Sequence, residues 1–172
     1  MIEVLKDSLW SQFGASINML ENAITLWPDE EWTGGKRFFY TAYHCLIFLD
    51  YYLTNPPESF EPLLPFTITE KADQPTDSLD DVIPNSIYSK QELLGYLQGC
   101  RQKCRAIIAN LTEARLQERW VEEDGGMNYS MLEILLYNMR HVQHHAAQLN
   151  LYLRQTIDQA PGWVARAVHA EK

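Results

Sequence analysis

The sequence predicts an all-α protein, a four-helix bundle with a long crossover between its second and third helices. Three observations carry that prediction. Apolar residues recur at three- and four-residue steps through four long segments, which is helix period. Two of those segments open on the S-x-x-E pattern of a capping box. No alternating apolar and polar run of strand length lies between them.

The first segment carries Val4, Leu5, Leu9, Phe13, Ile17, Leu20 and Ile24 at helical steps, and predicts a helix over 3–27. Pro28 and Asp29-Glu30-Glu31 end it. Gly34-Gly35 then separates it from a second helix over 36–54, apolar on nearly every side with Phe38, Phe39, Tyr43, Leu46, Ile47 and Leu49. A helix without a polar face belongs inside a domain. Asn55-Pro56-Pro57 stops it, and Pro62, Pro65, Pro75 and Pro84 keep 55–88 free of any period. That stretch reads as a crossover loop, long enough to suggest a functional role. A third helix opens at Ser89-Lys90-Gln91-Glu92 and is expected to run to 119; the fourth opens at Ser130-Met131-Leu132-Glu133 and to run to 157. The tail, 158–172, is interrupted by Pro161-Gly162 and leaves room for one short helix.

At 172 residues the chain suits one domain, 1–172, with a core that needs no disulfide staples. Its net charge of −9 argues against nucleic acid, since neutralising phosphates takes a basic face. Three cysteines make no disulfide framework and fit a reducing compartment. The N-terminal MIEVLKDSLW has no basic and then apolar signal pattern, and the most apolar stretch, Phe38 to Leu53, is too short to span a bilayer. The expectation is a soluble, cytoplasmic protein without a membrane partner.

Histidine carries the chemistry. His141 and His145 are four apart, so a helix stacks them one turn above the other and aims both imidazoles at one point. Their strip also holds Ile134, Asn138, Leu149 and Tyr152, which makes it an inward one. His144 lies roughly 100° around the helix from His145; it could replace one of the pair but cannot easily join both. His44 sits in the middle of the most apolar helix, on a strip with Tyr40, Thr41, Ile47, Phe48 and Tyr51. A single buried histidine is more often a hydrogen-bonded core residue than a ligand, and an i, i+4 pair alone is equivocal. Together on inward strips of two helices, His44, His141 and His145 point to a three-nitrogen metal site with a coordination position left open. His169, in the tail, is expected to be exposed and uninformative.

Other patterns carry less. Cys100 and Cys104 are also four apart, but such cysteines are usually small core residues. Gly34-Gly35-Lys36 lacks the preceding strand and the spacing of a phosphate loop. No glutamate stands three residues before any histidine, as di-iron carboxylate bundles require, and neither H-E-x-x-H nor G-x-S-x-G occurs.

These residues resemble the DinB superfamily, which includes the YfiT-like proteins. The resemblance rests on Tyr43-His44 in the aromatic-rich second helix and on the fourth-helix sequence from His141 to Leu149, HVQHHAAQL. His44, His141 and His145 match the family's metal triad; its usual Arg-Gly after the last histidine is Ala146-Ala147 here. The resemblance implies an up-down-down-up bundle, often a homodimer, that binds nickel, zinc or iron. It also implies a transferase or isomerase chemistry using a low-molecular-weight thiol such as bacillithiol, mycothiol or glutathione. The leading expectation is thus a metal-dependent, thiol-dependent S-transferase, or a metal-dependent hydrolase, acting on a small electrophilic substrate. The rival from another class is a non-catalytic, stress-related protein that binds a metal or small ligand. A helical dimerisation module with structural histidines is the third. Turnover separates the first two, and metal content separates both from the third.

Overall fold

The computed structural model describes residues 1–168; His169 lies outside the described residues. Four long helices dominate: α1 (Ile2–Leu26), α2 (Lys36–Tyr52), α3 (Lys90–Ala109) and, after a five-residue α4 (Glu113–Gln117), α5 (Met131–Ile157). Helix α1 packs against α3 and α5, and α2 packs against the same two. One core runs between them, built from Phe13, Ile17, Leu20 and Ile24 of α1, Phe39, Leu46 and Leu49 of α2, and Leu97, Val142 and Leu149 of α3 and α5. Val4, expected on the apolar stripe of α1, is 70% exposed, because it lies in the first turn before the buried stripe begins at Leu9.

Helix α3 stops ten residues short of the expected 119. The chain leaves the helix at Asn110, and Thr112 caps α4 by accepting from the Arg115 N–H. Two short strands follow, β3 (Arg119–Val121) and β4 (Asn128–Ser130), paired antiparallel around a turn with Gly125 at φ +73°. The crossover holds another such pair, β1 (Phe66–Ile68) and β2 (Val82–Pro84). At three residues each, these strands are too short to leave an alternating signature, so the sequence shows helices alone.

Capping chemistry fixes the two firm helix starts. Ser89 makes both bonds of a capping box with Glu92. Ser130 makes only the forward half, its hydroxyl accepting from the Glu133 N–H at 3.2 Å. The following N–H, of Met131, donates to the carbonyl of Glu118 and ties the start of α5 to the hairpin.

The crossover is pinned by side chains rather than by period. Tyr43 donates to the Leu64 carbonyl and Tyr88 to the Pro65 carbonyl, both at 2.6 Å, and the Trp32 indole donates to the Tyr88 carbonyl at 2.9 Å. Asp50, a carboxylate on the most apolar helix, is held by the Tyr96 hydroxyl and the Lys103 ammonium. The described tail, 158–168, forms no helix. It returns across α1, where Ala167 sits against Gly14 and its N–H donates to the Ser11 carbonyl. A Cβ on Gly14 would stand 2.6 Å from that of Ala167, so the crossing requires glycine. No helix among the described residues is long and apolar enough to cross a membrane.

Candidate metal centre

The packing of α2 on α5 builds the site. Asn138, fully buried on α5, donates to the Leu49 carbonyl of α2 at 2.9 Å and sets their register one turn before His141. His44 then faces His141 and His145. The three offer ring nitrogens that all lie within 4.8 Å of one another, and the Nε2 atoms of His44 and His141 are 3.1 Å apart. Ring centroids stand 4.5 Å apart for His141 and His145, and 4.6 Å for His44 and His145. Phe48 and Tyr52 wall the group, their rings 5.8 and 5.7 Å from that of His141.

His144 is exposed and outside this group, as its rotation off the strip predicts. Cys100 and Cys104 are free thiols buried in the core, where burial raises their pKa and keeps them neutral.

The partners of the outward ring nitrogens decide how the inward ones behave. Asp80, from the crossover, brings Oδ2 to 2.7 Å from His44 Nδ1. A carboxylate only accepts, so Nδ1 carries the proton, and in the neutral ring Nε2 keeps its lone pair toward the other two. Gln148, three residues beyond His145 on α5, sets its amide oxygen 2.7 Å from His145 Nδ1, with the same consequence. Among the described residues, His141 Nδ1 is buried without a partner. Two facing Nε2 atoms at 3.1 Å have one proton or one cation to share between them.

Burial and mutual repulsion hold His141 and His145 neutral. Desolvation first, and then neighbouring His145 and His44, push the pKa of His141 down to about 2. Desolvation and His44 push that of His145 down to about 4. Neutral imidazole is the ligating form, so His141 and His145 are preset as nitrogen donors to a metal ion. His141 also lines an open cleft of about 580 Å³ along α5, with Tyr137, Arg140, Gln143, His144 and Ala147.

The family model of the DinB superfamily matches residues 12–149. The chain belongs to the DinB superfamily. That span contains α2 with His44, the whole crossover, and α5 as far as Leu149, so all three histidines of the triad lie within it. No curated protein and no solved structure matches the chain. Two members of the site escaped the sequence reading. Asp80 stands 36 residues from His44 in an aperiodic segment and leaves no local signal. Gln148 was legible in principle, since an acceptor three residues after a histidine shares its helix face.

The depressed pKa values of His141 and His145 make stability depend on pH in the metal-free protein. The unfolded chain takes up protons below about pH 6.5, whereas folded His145 and His141 do so only near pH 4 and 2. Stability is therefore full above about pH 6.5 and falls as pH drops. The limiting slope is about 1.4 kcal/mol per pH unit for each residue. Chemical denaturation between pH 7.5 and 4.5 measures it. A curve that His141→Ala and His145→Ala do not flatten would contradict this assignment.

Proposed function

We propose that His44, His141 and His145 bind one divalent metal and that the protein is a metal-dependent, thiol-dependent S-transferase acting on a small electrophile. One observation carries the reading: three imidazoles converge from two helices, with an open cleft against His141. Three nitrogen ligands leave a coordination position free, as catalytic sites do and closed structural sites do not. A bound metal supplies Lewis acidity that lowers the pKa of a thiol or water placed beside it.

The chain's own residues do the rest. Burial, with Phe48 and Tyr52 as walls, keeps His141 and His145 unprotonated, and Asp80 and Gln148 hold two of the rings. Tyr137, Arg140, Gln143 and His144 give the cleft polar groups for a small substrate, with no basic tract for nucleic acid. In keeping with the family, the long helices run up-down-down-up and two copies pair, in the cytoplasm. A light-scattering mass of 20 kDa alone at high concentration would contradict the pairing.

The test is a conjugation screen on metal-loaded protein. Bacillithiol, mycothiol and glutathione are each offered with a panel of alkylating electrophiles, beside ester and amide substrates without thiol. Metal-dependent loss of one thiol with one electrophile, absent in His141→Ala, is the expected result. Thiol-independent cleavage would make the protein a hydrolase. Bound metal without turnover of any kind would favour the non-catalytic binding protein.

A further inference from the structure

The outer partners of the three histidines are unequal, and the strongest comes from an unexpected place. Among the described residues, His145 is held by a neutral amide of its own helix, His141 Nδ1 by no protein group, and His44 alone by a carboxylate, which belongs to the crossover. Asp80 is itself fixed at both oxygens: Oδ2 meets His44 Nδ1 at 2.7 Å, and Oδ1 accepts the Val82 N–H at 3.0 Å, at the first residue of β2. Strand β2 is paired with β1 through Ile68 and Val82, so the carboxylate is braced by a small sheet rather than carried on a free loop. The His44 side chain is only 15% exposed and that of Asp80 28%, which leaves the bond largely shielded from water.

We propose that Asp80 is a positioning residue of the metal centre, which fixes the tautomer and orientation of His44 and thereby couples docking of the crossover to metal occupancy. This rests on metal binding at the triad, and not on the transfer reaction. The physical reason is the proton count. With Nδ1–H committed to Asp80, the Nε2 lone pair of His44 is available toward His141 and His145 without a tautomeric step. The carboxylate also raises the electron density of the ring it holds, which strengthens it as a donor. Coupling is reciprocal: whatever factor Asp80 adds to metal affinity, metal adds to the docking of the crossover.

The experiment compares zinc affinity, by competition with a chromophoric chelator, in wild type, Asp80→Asn, Asp80→Ala and Asp81→Asn. Asp81 is exposed and adjacent, so its variant controls for charge and for loop perturbation. Asp80→Ala should weaken zinc roughly 10–100-fold, the usual cost of losing an outer-shell partner. Asp80→Asn keeps an acceptor without the charge and should fall between, while Asp81→Asn matches wild type. Two readouts separate positioning from mere loop anchoring. In metal-free protein, long-range proton–nitrogen spectra should report His44 protonated at Nδ1, and a mixture of tautomers in Asp80→Ala. In wild type, zinc should slow amide exchange across 66–84, and should cease to do so in Asp80→Ala. Wild-type zinc affinity in Asp80→Ala overturns the proposal while leaving metal binding intact. Wild-type protein that takes up no zinc, yet shows His44 protonated at Nδ1 only when Asp80 is present, overturns metal binding and the coupling together.

Discussion

Alanine at His44, His141 or His145 should strip the purified protein of its divalent metal, whereas alanine at His144 should leave the metal content unchanged. The expectation follows from the convergence of the first three ring nitrogens within 4.8 Å and the exposure of His144 beyond them. Removing one of three direct ligands costs more than the roughly 10–100-fold that an outer partner commands, so loss should be near complete at equal metal supply. Elemental analysis of proteins purified without histidine tags, loaded with one equivalent of zinc or nickel and then desalted, measures it. Retained metal in His145→Ala with loss in His144→Ala would mean that α5 presents the other face of its histidine cluster. Unchanged content in all four variants would remove the site, and with it the main support for an enzyme. Circular dichroism guards against misfolding as the cause.

Trp120→Ala is expected to produce the largest loss of stability. Trp120 is wholly buried on β3, where its ring meets Tyr51 and Tyr52 edge-on at 5.3 and 5.8 Å. Its indole N–H donates to the Thr54 carbonyl at 2.7 Å, just beyond the end of α2. Truncation leaves a cavity and an unpaired carbonyl, and buried Trp-to-Ala changes cost about 3–5 kcal/mol. For a chain of this length that lowers the melting temperature by on the order of 10 °C. Trp120→Phe fills most of the space but leaves the carbonyl without its donor, so it should cost about 1–3 kcal/mol. A melting temperature unchanged by Trp120→Ala would show that the β3–β4 hairpin does not brace the end of α2. Because Tyr52 also walls His141, the alanine variant should bind metal more weakly as well.

What the sequence determined by itself was whatever depends on short separations along a helix. Period in the apolar residues located α1, α2 and α5 to within two residues, and Ser89 announced the start of α3 by its capping box. The stacking of His141 on His145, and the exclusion of His144, follow from helical rotation alone. The inward setting of His44 followed from a largely apolar helix, since a polar ring there needs partners. The end of α3 was not legible in this way. The segment from Asn110 to Val121 has its conformation fixed by pairing with Asn128–Ser130 and by the burial of Trp120 against α2, both contacts between elements.

Tertiary structure alone decided how the site is closed. Asp80 meets His44 in a crossover that Tyr43 and Trp32 tie to the rest of the fold and that Tyr88 closes on itself at the Pro65 carbonyl. Those bonds join residues from 21 to 56 positions apart, and no periodicity of the intervening chain encodes such distances. A carboxylate among the scattered acids of 55–88 reads as solvated surface until the fold desolvates it against an imidazole. Local periodicity therefore specified which side chains could ligate, and long-range packing specified which groups orient them.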